Sequence, residues 1–290
     1  MKSRVSLTGS RRYSPELVYI SLVIILNLCS VESSFNNNFE ISWGTVRLLN
    51  NSQTVQLTMD KASGSGFQSI NQYLFGSVSV GIKLVSGNSA GTVTSYYMSS
   101  EGSFHDELDF EFLGNLPGKP YVLQTNVFGS GVGNREQRFH LWFDPTMDFH
   151  NYSILWNHQQ IVFWVDSTPI RVFKNNEAAG VPYLNRRPMK VISSLWNGED
   201  WATDGGRVKT DWSKAPFVAS YQSFEVDACS VSAQSSSPCA NDWWDQSGFQ
   251  SLNQHQLTRL DWVRKNYMTY DYCRDASRFP KPPTECALNP

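Results

Sequence analysis

The chain has 290 residues, a formal net charge of −2 and 17% charged residues. This near-neutral balance gives no electrostatic reason to expect a nucleic acid or an anionic membrane as a partner. Aromatic residues make up 13% of the chain and include ten Trp, which suits a packed β core or a surface that binds the apolar faces of sugar rings.

The amino terminus has the pattern of a secretory signal peptide. Basic residues within the first twelve positions precede an apolar run over residues 17–28, and small residues follow at 30–34. We therefore predict a signal peptide over residues 1–33, with cleavage within residues 30–34. Because the apolar run is short for spanning a bilayer, we expect a secreted protein with no membrane attachment after cleavage.

Two Asn-x-Ser sequons follow, at Asn50 and Asn151. We predict both as N-glycosylation sites of a secreted chain. Asn50 lies in a polar turn and is the more favourable acceptor, whereas Asn151 directly precedes a strand-like run.

Short alternating runs separated by turn residues continue from Glu40 to about Val226. Many short strands with no interleaved helical pattern predict an all-β, antiparallel sandwich. The clearest runs are residues 55–59, 78–84 and 161–165, and the clearest breaks are residues 64–66, 86–88 and 166–169.

The segment His105-Asp106-Glu107-Leu108-Asp109-Phe110-Glu111-Phe112 is the most informative part of the chain. Strict alternation predicts a β-strand with the apolar side chains on one face and the acids on the other. Like charges at successive positions on one face destabilise a strand, so the acids indicate a functional site.

Glu107 and Glu111 are four residues apart, which places their Cα atoms about 13 Å from each other along a strand. Side chains that lean together bring the carboxyl groups to about 5–6 Å, the separation typical of a retaining glycosidase. Asp109 lies between them and can orient a neighbouring glutamate through a hydrogen bond. A calcium site and a solvated acidic face are alternatives that the spacing leaves open.

The pattern changes after Cys229. A serine-rich connector covers residues 230–237, and apolar residues in the segment 252–267 recur at helical spacing. Four cysteines remain once the signal peptide with Cys29 is removed, and an even number in a secreted chain predicts two disulfides. Sequence alone allows three pairings of Cys229, Cys239, Cys273 and Cys286.

Residues 105–114 closely resemble the active-site strand of plant xyloglucan endotransglucosylase/hydrolases, members of glycoside hydrolase family 16. The resemblance runs from about Phe39 to Pro290 and covers several further segments. These are residues 73–76, 87–93, 141–146, 152–157 and 201–203, and the cysteine-bearing tail.

The resemblance implies a concanavalin-like jelly roll whose concave sheet forms an open cleft, followed by a small C-terminal extension that contains a helix. The implied division is a catalytic domain over residues 34–228 and a disulfide-bonded extension over residues 229–290. The family pattern favours the pairings Cys229–Cys239 and Cys273–Cys286. It also implies a protein secreted to the plant cell wall and apoplast, and we expect a monomer.

The resemblance also implies the roles of individual residues. It makes Glu107 the nucleophile, Glu111 the acid/base and Asp109 the residue that orients the nucleophile. No cofactor and no metal are predicted. The implied substrate contacts are Glu111, Gln124, Thr125, Asn126, Asn134, Arg135, Glu136, Asp200, Trp201, Gly205 and Arg278.

The implied reaction cuts the β-1,4-glucan backbone of xyloglucan and transfers the enzyme-bound fragment to a xyloglucan or oligosaccharide acceptor. Family members that mainly hydrolyse carry a short insertion before the Arg-Glu pair, and residues 131–136 have none, so we expect transfer to dominate. The alternatives are a mainly hydrolytic enzyme, a related β-glucan transglycosylase and a non-catalytic carbohydrate-binding protein.

Three positions depart from the family pattern. Gln124 stands where many members have His, and Asn134 where many have Asp. Asp204 replaces an Arg or Gln and adds a negative charge beside the cleft.

Overall fold

The computed structural model describes residues 34–231 and 242–289. The predicted signal peptide and Cys239 lie outside the described residues, so the signal peptide and the Cys229–Cys239 pairing remain predictions. Among the described residues, no helix is long and apolar enough to cross a membrane.

The described residues form two α-helices and fifteen β-strands, with short 3₁₀ turns between some of them. The helices are α1 (Phe35–Asn38) and α2 (Gln254–Asn266). The strands are β1 (Phe39–Gly44), β2 (Val46–Leu49), β3 (Thr54–Met59), β4 (Ser65–Ser69), β5 (Gln72–Lys83), β6 (Thr92–Ser99), β7 (Glu107–Leu113), β8 (Val122–Phe128), β9 (Gln137–His140), β10 (His150–Trp156), β11 (Gln160–Val165), β12 (Thr168–Lys174), β13 (Lys190–Asn197), β14 (Phe217–Val231) and β15 (Met268–Asp271).

The strands form two antiparallel sheets. The front sheet has the order β1-β4-β13-β6-β7-β8-β9-β15, and the back sheet has the order β12-β11-β10-β5-β14-β3-β2. Strand β7 therefore lies near the middle of the front sheet, with paired neighbours on both sides. The predicted antiparallel β-sandwich of the jelly-roll class, with one helix in the C-terminal extension, is confirmed.

The core lies between the two sheets and holds β7 in place. Phe110 and Phe112 are fully buried. Their ring centroids lie 5.2 Å from Phe163 and 4.7 Å from Tyr152, respectively, in edge-to-face contacts with the back sheet. Each such ring contributes about 1.5–3 kcal/mol through burial, and this offsets the cost of placing acids on the opposite face of the strand.

Two predicted breaks are partly wrong. Ser65 and Gly66 begin strand β4, and a side chain at Gly66 would approach Nε1 of Trp43 to 2.5 Å. The glycine therefore makes room for an indole and does not form a turn. The second break is limited to Asp166 and Ser167, which have φ of 45° and 60°, because Thr168 already belongs to strand β12.

The C-terminal extension contains the predicted helix and one strand that was not predicted. Helix α2 begins after Asn253, whose side chain accepts a hydrogen bond from the backbone of Gln256 in a capping box. Leu260 and Val263 are the buried residues of its apolar face. Strand β15 pairs with β9 and thus adds the extension to the edge of the front sheet.

The structure contains the Cys273–Cys286 disulfide, which closes the end of the extension. A hydrogen bond of 2.8 Å between Nδ1 of His158 and Oδ2 of Asp245 also joins the extension to the sandwich. The disulfide lies within the extension, and the hydrogen bond joins the extension to the turn between β10 and β11 of the back sheet.

The two sequons lie in different settings. Asn50 is exposed in the turn between β2 and β3, where its Nδ2 donates to Oγ1 of Thr54 over 3.3 Å. Asn151 lies within β10, and its backbone N–H donates to Oδ1 of Asp166. Asn50 is thus the more accessible acceptor, and glycosylation of both remains a prediction.

The packing of Phe110 against the back sheet predicts a large stability cost on truncation. Phe110→Ala should lower the free energy of unfolding by about 3–5 kcal/mol, because burial is lost and a cavity remains. Urea unfolding followed by Trp fluorescence measures this change. Phe104→Ala is the control, since Phe104 is 66% exposed, and its effect should stay within about 0.5 kcal/mol. Equal effects of the two variants would contradict the placement of Phe110 in the core.

Candidate active site

Strand β7 carries three carboxylates on its outer face. Leu108, Phe110 and Phe112 are fully buried between the sheets, while Glu107 and Glu111 are half-buried and Asp109 is 5% exposed. His105 precedes the strand, and its Nε2 lies 3.8 Å from Oε2 of Glu107. The alternation predicted from the sequence is therefore present.

The register of the front sheet aligns one row of directly opposed residues across all eight strands. The row begins at Trp43, which lies four strands from Glu111 and therefore about 19 Å away along the sheet at a strand spacing of about 4.8 Å. In strand order the row is Trp43, Gly66, Ser194, Ser95, Glu111, Gln124, Arg138 and Tyr270.

The residues between Trp43 and Glu111 in this row are all small. Gly66, Ser194 and Ser95 leave a shallow path across the sheet, and the two serine hydroxyls lie 2.6 Å apart. An indole at one end of such a path and a carboxylate at the other suit an extended sugar chain, because indoles stack on sugar rings and hydroxyls bind their edges.

The carboxylates open into a cleft with a volume of about 650 Å³. The predicted site residues in its lining are Glu107, Asp109, Glu111, Gln124, Asn126, Glu136 and Trp201. The sequence reasoning missed the other residues of the lining, which are Trp43, Ser95, Tyr97, Phe128, Ser194 and Trp196.

Asp109 is the most perturbed acid of the site. Burial raises its pKa well above the ordinary range, and the nearby charges of Glu107 and Glu111 and a hydrogen bond to Glu107 raise it further. A neutral Asp109 donates a hydrogen bond to Glu107 and orients it.

Tyr97 also lines the cleft. Burial and the charges of Glu107, Asp109 and Glu111 raise the pKa of Tyr97 to about 12, which keeps its hydroxyl protonated.

Glu111 is held by an amide and, through it, by a guanidinium. Nε2 of Gln124 donates to Oε2 of Glu111 over 2.6 Å, and Nε of Arg138 donates to Oε1 of Gln124 over 2.7 Å. Burial raises the pKa of Glu111, whereas the hydrogen bond from Gln124 lowers it and the charge of Glu107 raises it. The net upward shift favours the protonated form that a general acid requires.

Two further predicted residues, Arg278 and Asn134, meet Glu136 beside the cleft. NH1 of Arg278, from the extension, donates to Oε2 of Glu136 over 2.7 Å, and its NH2 donates to Oδ1 of Asn134 over 2.6 Å. The extension thus supplies a polar wall next to strands β8 and β9.

The side chains of Thr125 and Arg135 do not face the cleft. Thr125 is fully buried, and NH1 of Arg171 donates to its Oγ1. Nε of Arg135 donates to Glu285 over 2.6 Å, and its NH1 donates to backbone carbonyls. These two side chains hold the strands and the extension together behind the site, and their predicted contact with substrate stays a prediction.

The loop after β13 places the remaining predicted residues at the rim. Trp201 is half-buried and lines the cleft, with its ring centroid 6.1 Å from that of Trp196. Asp200 is exposed and accepts a hydrogen bond from Lys209. Gly205 is exposed in a left-handed turn with φ of 65°, outside the cleft lining.

The calcium alternative has no matching ligand set in the described part of the chain. Within residues 34–231 and 242–289, no group of three or more His, Cys, Asp or Glu side chains converges so that it could hold a metal ion.

The raised pKa of Asp109 predicts a pH-dependent stability. In the unfolded chain Asp ionises near about 3.9, while the folded protein keeps its proton to higher pH. The contribution of Asp109 to the free energy of unfolding is fully present below its unfolded-state pKa. It falls as the pH rises through the folded-state pKa, by at most about 1.4 kcal/mol per pH unit. Asp109→Asn should flatten the fall in unfolding free energy as the pH rises above about 4. Equal slopes for Asp109→Asn and the parent would contradict this, and Asp60→Asn, in an exposed turn, is the control.

Comparison with known proteins places this chain in a family. Residues 35–214 match the model for glycosyl hydrolases family 16, and residues 238–286 match the model for the xyloglucan endo-transglycosylase C-terminus. The probable xyloglucan endotransglucosylase/hydrolase protein 5 of Arabidopsis thaliana is 56% identical over 89% of each chain. Xyloglucan endotransglucosylase protein 8 of Diospyros kaki is 54% identical over 96% of this chain and 97% of its own. Among solved structures, an apo Crh5 transglycosylase has a TM-score of 0.54 at 26% identity and covers 67% of this chain and 80% of its own. The chain therefore belongs to glycosyl hydrolases family 16 and, within it, to the xyloglucan endotransglucosylase/hydrolase proteins.

Proposed function

We propose that this chain is a secreted xyloglucan endotransglucosylase that remodels the plant cell wall. It cuts the β-1,4-glucan backbone of a xyloglucan donor and joins the new end to a xyloglucan or oligosaccharide acceptor. The observation that carries the proposal is the set of three neighbouring carboxylates on β7, which open into a cleft of about 650 Å³. The names of the relatives support the choice of substrate.

In the first step Glu107 attacks the anomeric carbon of the donor. Its oxygen forms a bond to that carbon while the glycosidic C–O bond breaks, and the proton of Glu111 passes to the departing oxygen. Asp109, neutral because it is buried, donates a hydrogen bond that holds Glu107 in the attacking orientation.

In the second step an acceptor hydroxyl replaces the leaving group. Its oxygen bonds to the anomeric carbon, its proton returns to Glu111, and the bond to Glu107 breaks. Retention of configuration follows from the two displacements and requires the carboxyl groups to lie about 5–5.5 Å apart.

Transfer is favoured over hydrolysis because one side of the cleft is built to hold an acceptor. Arg278, Glu136 and Asn134 form a hydrogen-bonded wall there, and no insertion precedes Arg135. An acceptor bound against this wall excludes water and places its hydroxyl near the reacting carbon.

A non-catalytic carbohydrate-binding role accounts less well for the site. Burying Asp109 beside two other acids costs stability, and a binding protein gains nothing from that cost. A hydrolase remains the second candidate, because water can resolve the same covalent intermediate.

The proposal extends to the ends and modifications of the chain. We propose a signal peptide over residues 1–33, a catalytic domain over 34–228, an extension over 229–290 and a Cys229–Cys239 disulfide. We further propose a monomer located in the cell wall and apoplast, with glycans on Asn50 and Asn151.

Incubation of the secreted protein with xyloglucan and a labelled xyloglucan oligosaccharide tests the proposed activity. The label should move into polymer while reducing ends stay nearly constant. Glu107→Gln should abolish label transfer yet still bind xyloglucan in an affinity gel, and Glu111→Gln should lower transfer by about 10²–10⁴-fold. Glu177→Gln, on the surface, should match the parent. Reducing ends that appear as fast as chains are cut would show a hydrolase, and turnover by Glu107→Gln would remove the nucleophile assignment.

A further inference from the structure

The hydrogen bonds on Glu111 distinguish its two carboxyl oxygens. Oε2 accepts a hydrogen bond of 2.6 Å from Nε2 of Gln124, and an amide NH₂ group can only donate. Because Oε2 already accepts this bond, it is less favourable than Oε1 as the protonated oxygen of the carboxylic acid. The proton of a neutral Glu111 therefore resides on Oε1, the oxygen that Gln124 does not bind.

This distinction depends on which way the Gln124 amide faces. The oxygen and nitrogen of an amide have nearly the same shape, so an isolated glutamine can turn either end toward a neighbour. Arg138 removes this freedom, because a guanidinium donates and never accepts. Its Nε lies 2.7 Å from Oε1 of Gln124, so the oxygen of the amide must face Arg138 and the nitrogen must face Glu111.

Arg138 is itself fixed by the extension. It lies opposite Tyr270 in the pairing of β9 with β15, and its guanidinium carbon is 5.4 Å from the centroid of the Tyr270 ring. The hydroxyl of Tyr270 donates to Asp275 over 2.9 Å. The orientation of the amide thus rests on a side chain that is packed and not free in solvent.

We propose that Arg138 is a positioning residue for the acid/base: by orienting the amide of Gln124, it keeps the transferable proton of Glu111 on Oε1. This inference rests on the proposed role of Glu111. In the first step the proton leaves Oε1 for the glycosidic oxygen, and in the second Oε1 receives the proton of the acceptor hydroxyl. Oε2 keeps its bond to Gln124 in both steps, so the carboxyl group needs no rotation between them.

The proposal predicts a loss that depends on the leaving group. Cleavage of xyloglucan expels a sugar hydroxyl, which needs protonation, whereas an aryl β-glycoside of a xyloglucan oligosaccharide expels an acidic phenol, which needs little. Arg138→Met should lower kcat/KM on xyloglucan at least about ten-fold, a part of the general-acid contribution. On the aryl glycoside it should stay within about two-fold of the parent. Arg138→Lys should recover part of the loss, since an ammonium also only donates.

The pH dependence of kcat/KM is a second measurement, and it should not change if Arg138 has only a structural role. The titratable groups that interact with Glu111 are Glu107, Asp109, Glu136 and Tyr97, and the guanidinium of Arg138 is a neighbouring cation. Removing this cation and loosening the bond from Gln124 disfavours the carboxylate. The alkaline limb of kcat/KM on xyloglucan should therefore move to higher pH in Arg138→Met.

The controls separate this proposal from the proposed function. Arg186→Met, at an exposed surface position, should match the parent on both substrates. If Arg138→Met does not fold, Gln124→Leu makes the same test, because it removes the donor to Oε2. Equal losses on both substrates, or an unmoved alkaline limb, would overturn the positioning role of Arg138. Full transfer activity in Glu111→Gln would instead overturn the assignment of the acid/base.

Discussion

The site depends on the packing of one strand against the back sheet. Strand β7 presents three acids on one face, and their mutual repulsion and desolvation oppose the fold. The opposite face places Phe110 and Phe112 against Phe163 and Tyr152 in the fully buried core. This burial holds the acids in one register, and the same desolvation that costs stability raises the pKa of Asp109 and of Glu111 and so favours their protonated forms.

The strand register of the front sheet determines which residues line the cleft on either side of Glu111. Because antiparallel pairing places opposed residues side by side, a single row joins Trp43 at one edge to Tyr270 at the other. Small residues lie on one side of Glu111 in this row, and hydrogen-bonding residues lie on the other. The extension completes the row through β15 and brings Arg278 to Glu136, so it contributes to the site as well as covering the edge of the sheet.

The sequence was sufficient for the features that depend on local alternation. The acidic strand, the sandwich and the extension helix all follow from periodicity within single segments. The row across the sheet could not be predicted, since it joins residues such as Trp43 and Ser194 whose pairing is set by the tertiary fold. Strand β15 is short and mixed in polarity, and it forms because β9 offers it an edge. Thr125 was predicted to contact substrate together with Gln124 and Asn126, although alternation alone places it on the buried face.

The central claim is that Glu107 forms a covalent bond to the donor sugar while Glu111 moves the proton. Trapping that intermediate tests it most directly: the protein is incubated with a 2-fluoro xyloglucan oligosaccharide that carries an activated leaving group, digested and analysed by mass spectrometry. The account predicts one glycosyl adduct on the peptide that contains residues 105–112, with fragmentation that assigns it to Glu107. An adduct on Glu111, or no adduct together with inversion at the anomeric carbon, would contradict it.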